Sequence, residues 1–218
     1  MPSSRPHHIP EIISIVRKLR PASILDIGVG FGKWGVLFRE YTDIIASEKD
    51  PLRYRRENWR VRIDGVEVFE DYLTDLHRFV YNKIFVGDVR QLLPELGRYE
   101  LIFLGDVIEH FDKPDGAMLL RSLYELADKS VLVTTPASRT GQGVLCANEY
   151  ETHRSLWRYS DFRDFPNRRV WRSRGDILIA MLAKPGIRLS RIVPGFGNLR
   201  DAWGVAASIV RRVLRSKC

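Results

Sequence analysis

Cysteine is scarce in this sequence, with two residues, Cys146 and Cys218, in a chain of 218. They lie far apart and form no C-x-x-C pair, which argues against a zinc–thiolate site and against a disulfide-stabilised scaffold. Long apolar runs are missing too: the stretch at 177–183 is among the longest and is far shorter than a membrane span. The first residues lack the apolar core of a signal peptide. We therefore expect a protein of the reducing cytoplasm.

Negative charge is in the minority, with 27 acidic residues against 35 lysines and arginines and a net charge of +8. Basic residues cluster around 53–62, 163–174 and 211–217. Such clusters suit an anionic partner, which could be a nucleic acid, a phosphorylated or acidic glycan, or a membrane surface; the alternative is a solvated basic face. The clusters lack the interleaved aromatic and glycine residues of RNA-binding modules, so nucleic acid is the less favoured partner.

The length fits one α/β domain with a substantial core and is too short for two. We place that domain at 1–184, because Pro185 and Gly186 follow the last strand pattern. In the remaining 185–218, apolar residues recur at helical spacing from Leu199, and arginines occupy the opposite face. We expect this basic amphipathic tail to dock on its own domain, with a partner protein or peripheral contact with an anionic membrane as alternatives. The sequence does not indicate the oligomeric state.

The most informative segment is SILDIGVGFGKWG at 23–35. An apolar strand pattern leads into Asp26. The turn after it has glycines at alternate positions, 28, 30 and 32, and a helical pattern follows the turn. Without side chains there, a nucleotide-like ligand can approach the backbone closely. A dinucleotide fingerprint, G-x-G-x-x-G/A, needs a small residue at position 33, where this chain has Lys33. A nicotinamide cofactor is therefore disfavoured.

Apolar runs and helical patterns alternate through the domain, which is typical of a parallel sheet with crossover helices. We expect strands at 23–27, 63–69, 83–88, 100–104 and 130–134, helices at 11–19, 32–41 and 115–127, a short helix at 161–165 capped by Ser160, and a terminal hairpin of 169–173 with 176–183.

The second strand has an alternative position at 44–46, with Glu48 at its end. We prefer 63–69, with Glu67 at its end, because one compact crossover then leads to the next strand. We interpret 42–60 as an irregular insertion. Together with the long loop 137–159, it is expected to border the substrate.

These elements resemble, over 9–184, the class I S-adenosylmethionine (SAM) dependent methyltransferases. The motifs that carry the resemblance are the glycine turn after Asp26, DGVEVFEDY with Glu67, Gly87-Asp88-Val89, LGDVIEHF at 104–111, TTP at 134–136 and the terminal hairpin. Each motif alone is weak, but a chance match would have to satisfy every crossover length at once. The resemblance implies an α/β fold with a doubly wound, mostly parallel seven-stranded sheet of order 3-2-1-4-5-7-6, helices on both faces, and SAM as the cofactor.

The resemblance also implies roles for particular residues. Glu67 would accept hydrogen bonds from the ribose hydroxyls, Asp88 from the adenine amino group, and Asp26 would face the cationic methionine part. The expected cofactor-binding residues are Asp26, Gly28, Val29, Gly30, Gly32, Glu67, Asp88, Val89, Gly105 and Asp106.

Three residues are candidates for catalysis: Glu109, His110 and His153. An alcohol acceptor is a weak nucleophile and benefits from a base within hydrogen-bond reach, so one histidine is expected to act as that base, without a metal. In the alternative, Asp106 joins these three to bind a divalent cation. That arrangement is similar to the metal site of the small-RNA 3′-end 2′-O-methyltransferases, which use a Glu-x-x-Glu-His turn and later histidines. This chain differs from them in having Asp106 at the first position of the turn and no second histidine close to His153.

We therefore expect a SAM-dependent methyltransferase that acts on an oxygen of a small molecule or of a sugar or glycan, acidic or phosphorylated in view of the arginines. The chain lacks the Asn/Asp-Pro-Pro-Tyr/Phe motif of amino-directed nucleic-acid enzymes and has Leu-Gly-Asp-Val at 104–107 instead. The alternatives are a metal-assisted RNA 3′-end 2′-O-methyltransferase and a SAM-binding module without catalysis.

Overall fold

A computed structural model describes residues 5–139, 141–144 and 148–193 of the chain. Both cysteines and the tail helix expected from Leu199 lie outside the described residues, so the domain boundary after residue 184 stays a prediction. No helix in the described part of the chain is both long and apolar enough to cross a bilayer.

Seven strands form one sheet of order β3-β2-β1-β4-β5-β7-β6, which confirms the predicted topology. The strands are β1 (Ser23–Ile27), β2 (Arg62–Glu67), β3 (Lys83–Val86), β4 (Tyr99–Gly105), β5 (Ala127–Pro136), β6 (Arg168–Ser173) and β7 (Ile177–Ala183). The first five are parallel to one another, and β7 is antiparallel to both β5 and β6. Most residues of the central strands β1, β4 and β5 are buried, as expected for strands covered on both faces.

In the part of the chain that the structure describes, six α-helices cover the two faces of the sheet. They are α1 (Ile9–Leu19), α2 (Lys33–Thr42), α3 (Asp75–Val80), α4 (Val89–Leu92), α5 (Lys113–Leu126) and α6 (Leu189–Ile192). The buried side chains of α1, α2, α3 and α6 belong to one hydrophobic core, and those of α4 and α5 belong to a second core across the sheet. This arrangement confirms the doubly wound architecture.

The segment between α2 and β2 contains three short 3-10 turns, Ile44–Glu48, Pro51–Tyr54 and Arg56–Asn58, and no strand. The placement of the second strand at β2 is therefore confirmed. The insertion lies at the amino ends of the parallel strands, because its Asp43 carboxylate accepts hydrogen bonds from the backbone N–H groups of Arg60 and Val61, just before β2. The expectation that it borders the substrate is wrong, since ligand sites in such sheets form at the carboxyl ends.

A smaller correction concerns the turn before β6. A 3-10 turn spans Tyr159–Phe162, rather than a helix at 161–165 capped by Ser160. The carboxylate of Asp161, a residue of this turn, accepts the backbone N–H of Arg158 at 2.6 Å and so fixes the start of the turn.

Candidate functional site

A cavity of about 580 Å³ lies at the carboxyl ends of the parallel strands. It is centred where the chain changes direction across the sheet, between β1 and β4, and the residues that follow both strands line it. Open α/β sheets bind ligands at this switch point because the loops on either side diverge there. The residue that ends β2 and the residues that follow β3 line the same cavity, so the tips of four neighbouring strands contribute to one site.

The glycine turn forms one wall of the cavity. Gly28, Gly30 and Gly32 have φ angles of 72°, 51° and 88°, which L-residues with side chains rarely adopt. A Cβ at Gly28 would lie 2.5 Å from Val107 Cγ2, so the turn also packs closely against the loop after β4. The backbone is therefore exposed to the cavity at Gly28 and Gly30.

Glu67 ends β2 and is held in one orientation by the backbone around it. Its Oε2 accepts the N–H of Gly30 at 2.9 Å, and its Oε1 accepts the N–H of Phe69 at 3.0 Å. Burial raises the pKa of this carboxyl, although these hydrogen bonds oppose the shift. Glu67 lines the cavity and ties the glycine turn to β2, so the predicted ribose acceptor is preorganised.

Asp88 lines the cavity just beyond β3 and caps α4, where its Oδ1 accepts the backbone N–H of Arg90 at 2.8 Å. The Arg90 guanidinium also binds this carboxylate, at 2.6 Å, and reaches Asp115 at the same distance. Burial pulls the pKa of Asp88 upward, but the hydrogen bonds and charge of Arg90 outweigh it and hold the pKa below its usual value. A ligand here would meet an Asp88 carboxylate shared with Arg90, beside Val89.

Two predicted cofactor residues do not line the cavity. Asp26 is fully buried behind the glycine turn, where its Oδ2 accepts a 2.6 Å hydrogen bond from the Tyr81 hydroxyl. Burial raises the pKa of Asp26 to about 7. Gly32 lies against the His77 ring, whose Nε2 is 2.8 Å from the Gly30 carbonyl. The expectation of direct contact is corrected for both residues, because they shape the turn from the side facing the protein core.

Gly105 and Asp106 form the floor of the cavity after β4. A Cβ at Gly105 would lie 2.7 Å from Trp34 Nε1, so only glycine lets the Trp34 ring pack there. Asp106 has a left-handed φ of 57°, and its Oδ1 accepts a hydrogen bond of 3.2 Å from Thr134 Oγ1. Lys33 and Trp34 also line the cavity but were not predicted as site residues, although their place directly after the glycines could have indicated it.

The two candidate histidines come together at the other end of the cavity, with ring centroids 4.9 Å apart. His110 Nδ1 lies 3.2 Å from the Thr152 carbonyl. Because a carbonyl can only accept, Nδ1 carries the proton and Nε2 keeps its lone pair. Burial lowers the pKa of His110, although hydrogen bonds to the backbone of Thr152 and Asp106 oppose the shift.

Glu109 lies beneath the histidines with 2% of its surface exposed, and neither carboxylate oxygen has a hydrogen-bond partner among the described residues. Burial, followed by the nearby Asp106 charge, raises its pKa well above the usual value. Ligand atoms of Glu109, His110 and His153 lie within 4.8 Å of one another, so these three residues could hold a divalent ion; Asp106 is not part of that group.

Part of the long loop after β5 covers the site. Its Glu151 accepts hydrogen bonds from the Tyr72 hydroxyl at 3.2 Å and from Gln142 Nε2 at 3.0 Å. The Glu109 carbonyl accepts the backbone N–H of Arg154 at 2.8 Å, which fixes the loop at a second point. Tyr72, Gln142 and Glu151 line the cavity. The length of the loop indicated Gln142 and Glu151, whereas no feature of the sequence indicated Tyr72.

Several solved structures share this fold. A protein of Nostoc punctiforme PCC 73102, provisionally described as an O-methyltransferase, is 15% identical over 81% of this chain and 55% of its own, with a TM-score of 0.51. An O-methyltransferase family protein from Burkholderia thailandensis is 14% identical over 81% of this chain and 55% of its own, with a TM-score of 0.52. The methyltransferase domain of bacterial CtHen1-CN is 15% identical over 82% of this chain and 98% of its own, with a TM-score of 0.53.

The match is thus to about half the length of the first two proteins and to nearly the whole of the third. No protein family model matches the chain, and no curated protein matches it either. At these identities, the likeness shows a shared fold.

Proposed function

Because this chain has the class I methyltransferase fold, we propose that it is a SAM-dependent methyltransferase that methylates a hydroxyl oxygen of a small molecule or a sugar. One observation carries the proposal: a single cavity is lined both by the glycine turn with Glu67 and by the adjacent rings of His110 and His153. The first two structural neighbours are described as O-methyltransferases, which favours oxygen as the acceptor atom.

The cofactor's parts follow the chemistry of the lining residues. The ribose diol would donate to the Glu67 carboxylate, which lines the cavity. The adenine would lie by Asp88 and Val89, with Phe111 beside them. The methionine part would lie along the glycine turn above Gly105, where the Asp106 carboxylate favours its cationic groups.

The residues of this chain would act on the acceptor. SAM, when bound, supplies the methyl group as an electrophile on sulfur. Methyl transfer needs the acceptor oxygen held in line behind that carbon, and the loop residues Gln142, Asn148 and Glu151 offer polar groups to orient it. His110 Nε2 would take the hydroxyl proton as the oxygen attacks, because Nδ1 already holds its own proton on the Thr152 carbonyl.

The acceptor class follows from the same loop. Amide, carboxylate and histidine side chains lie together there, and such groups bind the hydroxyls of a polyol. Two exposed arginines, Arg5 and Arg154, line the cavity mouth and would attract a phosphorylated or acidic acceptor. The arginines of 42–60 do not support that part of the proposal, since they lie at the opposite edge of the sheet.

Calorimetry with S-adenosylhomocysteine tests the cofactor, and release of that product from SAM with a panel of sugars tests catalysis. We expect binding, and turnover with at least one hydroxyl acceptor. His110→Ala should leave the affinity for S-adenosylhomocysteine unchanged and lower turnover about 100-fold or more. Binding without turnover on any acceptor would instead favour a SAM-binding module, and absence of binding would reject the proposal.

A second candidate function is supported by Glu109, His110 and His153, whose ligand atoms lie within 4.8 Å of one another. In this proposal the enzyme is an RNA 3′-end 2′-O-methyltransferase, and the three side chains hold a divalent cation that binds the terminal hydroxyls. Turnover on an RNA oligonucleotide that is lost with a chelator and restored by Mn²⁺ would select this candidate; chelator-resistant turnover on a sugar would select the first.

A further inference from the structure

The proposed function leaves one charge of the cofactor without a partner. The methionine part of SAM carries a carboxylate beside its ammonium and sulfonium groups. The residues predicted for that end of the cavity are glycines and Asp106, and an anion beside an aspartate is unfavourable unless a cation compensates it.

Lys33 lies where that cation is needed. It is the first residue of α2, directly after the glycine turn, and its half-buried side chain lines the cavity with Gly28 and Gly30. Its Nζ lies 5.2 Å from the centroid of the Trp34 ring, which packs on Gly105 at the cavity floor. Burial lowers the pKa of Lys33, while the charges of Asp106 and Asp26 oppose that shift and favour the ammonium form.

The other lysine and arginine side chains that line the cavity, among the residues that the structure describes, lie elsewhere. Arg90 is paired with Asp88 and Asp115 beyond β3. Arg154 is exposed on the covering loop. Arg5 is exposed at the mouth, where it donates to the Gly175 carbonyl at 3.0 Å. Lys33 is the one of these four that combines partial burial with a place on the glycine turn.

We propose that Lys33 binds the carboxylate of the cofactor's methionine part and makes the site selective for nucleosides that carry an amino-acid group. This inference rests on the proposed function. A lysine ammonium is a compact charge with three donors on a flexible stem, which suits a carboxylate that approaches over a glycine turn.

The test compares two ligands that differ in the group that Lys33 would bind. S-adenosylhomocysteine has the amino-acid part, whereas 5′-methylthioadenosine has the same adenosine and a sulfur but no carboxylate. Lys33→Met should raise the Kd for S-adenosylhomocysteine about ten- to a hundredfold and change the Kd for methylthioadenosine by less than about twofold. Met keeps the apolar stem beside Trp34, and a melting curve confirms that the variant is folded.

Two further variants sharpen the result. Lys33→Arg keeps the charge and should recover most of the affinity for S-adenosylhomocysteine. Lys49→Met makes the same change at an exposed position of the 42–60 insertion and should bind both ligands like the wild type.

The outcomes separate the inference from its premise. Equal losses for both ligands, or an unchanged affinity for S-adenosylhomocysteine, overturn the role of Lys33. A selective loss in Arg5→Met but not in Lys33→Met moves the carboxylate to Arg5 and also overturns it. If the wild-type protein binds neither nucleoside, the proposed function itself fails.

Discussion

Buried charged groups have different surroundings at the two ends of the parallel strands, which we call the amino edge and the carboxyl edge of the sheet. At the amino edge, the fully buried Asp43 carboxylate contacts the guanidinium groups of Arg39 and Arg53. The Nε atoms of both arginines lack partners, yet each group faces an opposite charge. At the carboxyl edge, neither carboxylate oxygen of the buried Glu109 has a hydrogen-bond partner in the described chain.

Most buried polar groups are hydrogen-bonded, so a group of unsatisfied atoms calls for an explanation. At the amino edge the charges form ion pairs, and Arg39 of α2 also donates hydrogen bonds to the carbonyls of Val61, just before β2, and of Val80, at the end of α3. The carboxyl edge leaves unsatisfied atoms beside or beneath a cavity. The difference indicates that the first cluster serves stability and that the second is arranged for a ligand.

The largest expected effect is at the amino edge. Asp43→Ala leaves two buried guanidinium groups without their counter-charge and should lower the free energy of unfolding by about 3–5 kcal/mol. Urea unfolding followed by circular dichroism measures it. The control is Asp164→Ala, which removes an ion pair with Arg121 whose side chains are 65% and 58% exposed, and should cost less than about 1 kcal/mol. Similar losses in both variants would contradict the comparison.

The next effect concerns His8, which is buried against Trp34 and has no partner for either ring nitrogen among the described residues. Burial lowers its pKa to about 4 from 6.5, so the unfolded chain binds more protons between these pH values. The contribution of His8 to the free energy of unfolding should therefore fall by about 3 kcal/mol as the pH drops from 6.5 to 4.

His8→Leu should lose this pH dependence, and the difference between wild type and variant isolates it. Asp26 changes the free energy of unfolding with pH in the opposite direction, and it does so in both proteins. Its raised pKa makes the folded state bind more protons than the unfolded chain up to about pH 7. His7→Leu, at an exposed neighbouring position, serves as the control. Parallel stability curves for wild type and His8→Leu would show that His8 is not the cause.

A smaller effect is expected on binding at the carboxyl edge. Glu67→Ala removes charge-assisted hydrogen bonds to the ribose and a support of the glycine turn, so it should weaken binding of S-adenosylhomocysteine by about 1–3 kcal/mol. Calorimetry measures the change, with the exposed Glu70→Ala as the control. Unchanged affinity in Glu67→Ala would remove the ribose assignment.

The smallest effect on stability is expected for Glu109→Gln. The native carboxyl already has a strongly raised pKa and no hydrogen-bond partner, so an isosteric amide should change the free energy of unfolding by less than about 1 kcal/mol. Turnover should fall nonetheless, since the side chain lies beneath the histidine pair. A stability loss as large as that of Asp43→Ala would mean that the two edges do not differ as proposed.

Much of the fold could be read from the sequence. Alternating apolar runs and helical patterns predicted the parallel sheet, and the resemblance to class I methyltransferases implied its strand order. Glu67 was placed at the end of β2 because that position leaves a compact crossover to β3. The position of the 42–60 insertion could not be read in this way. An arginine-rich segment has no periodic signal, and the ion pairs of Asp43 that anchor it join residues from separate elements.

The sequence by itself determined the parallel sheet and the glycine turn, because hydrophobic period and the conformational freedom of glycine are local properties of the chain. Only the tertiary structure decided that Asp26 lies behind that turn while Lys33 lies in the cavity, and that His110 and His153 meet although 43 positions separate them. Such neighbours depend on how the loops pack once the sheet has formed, and no local pattern encodes that.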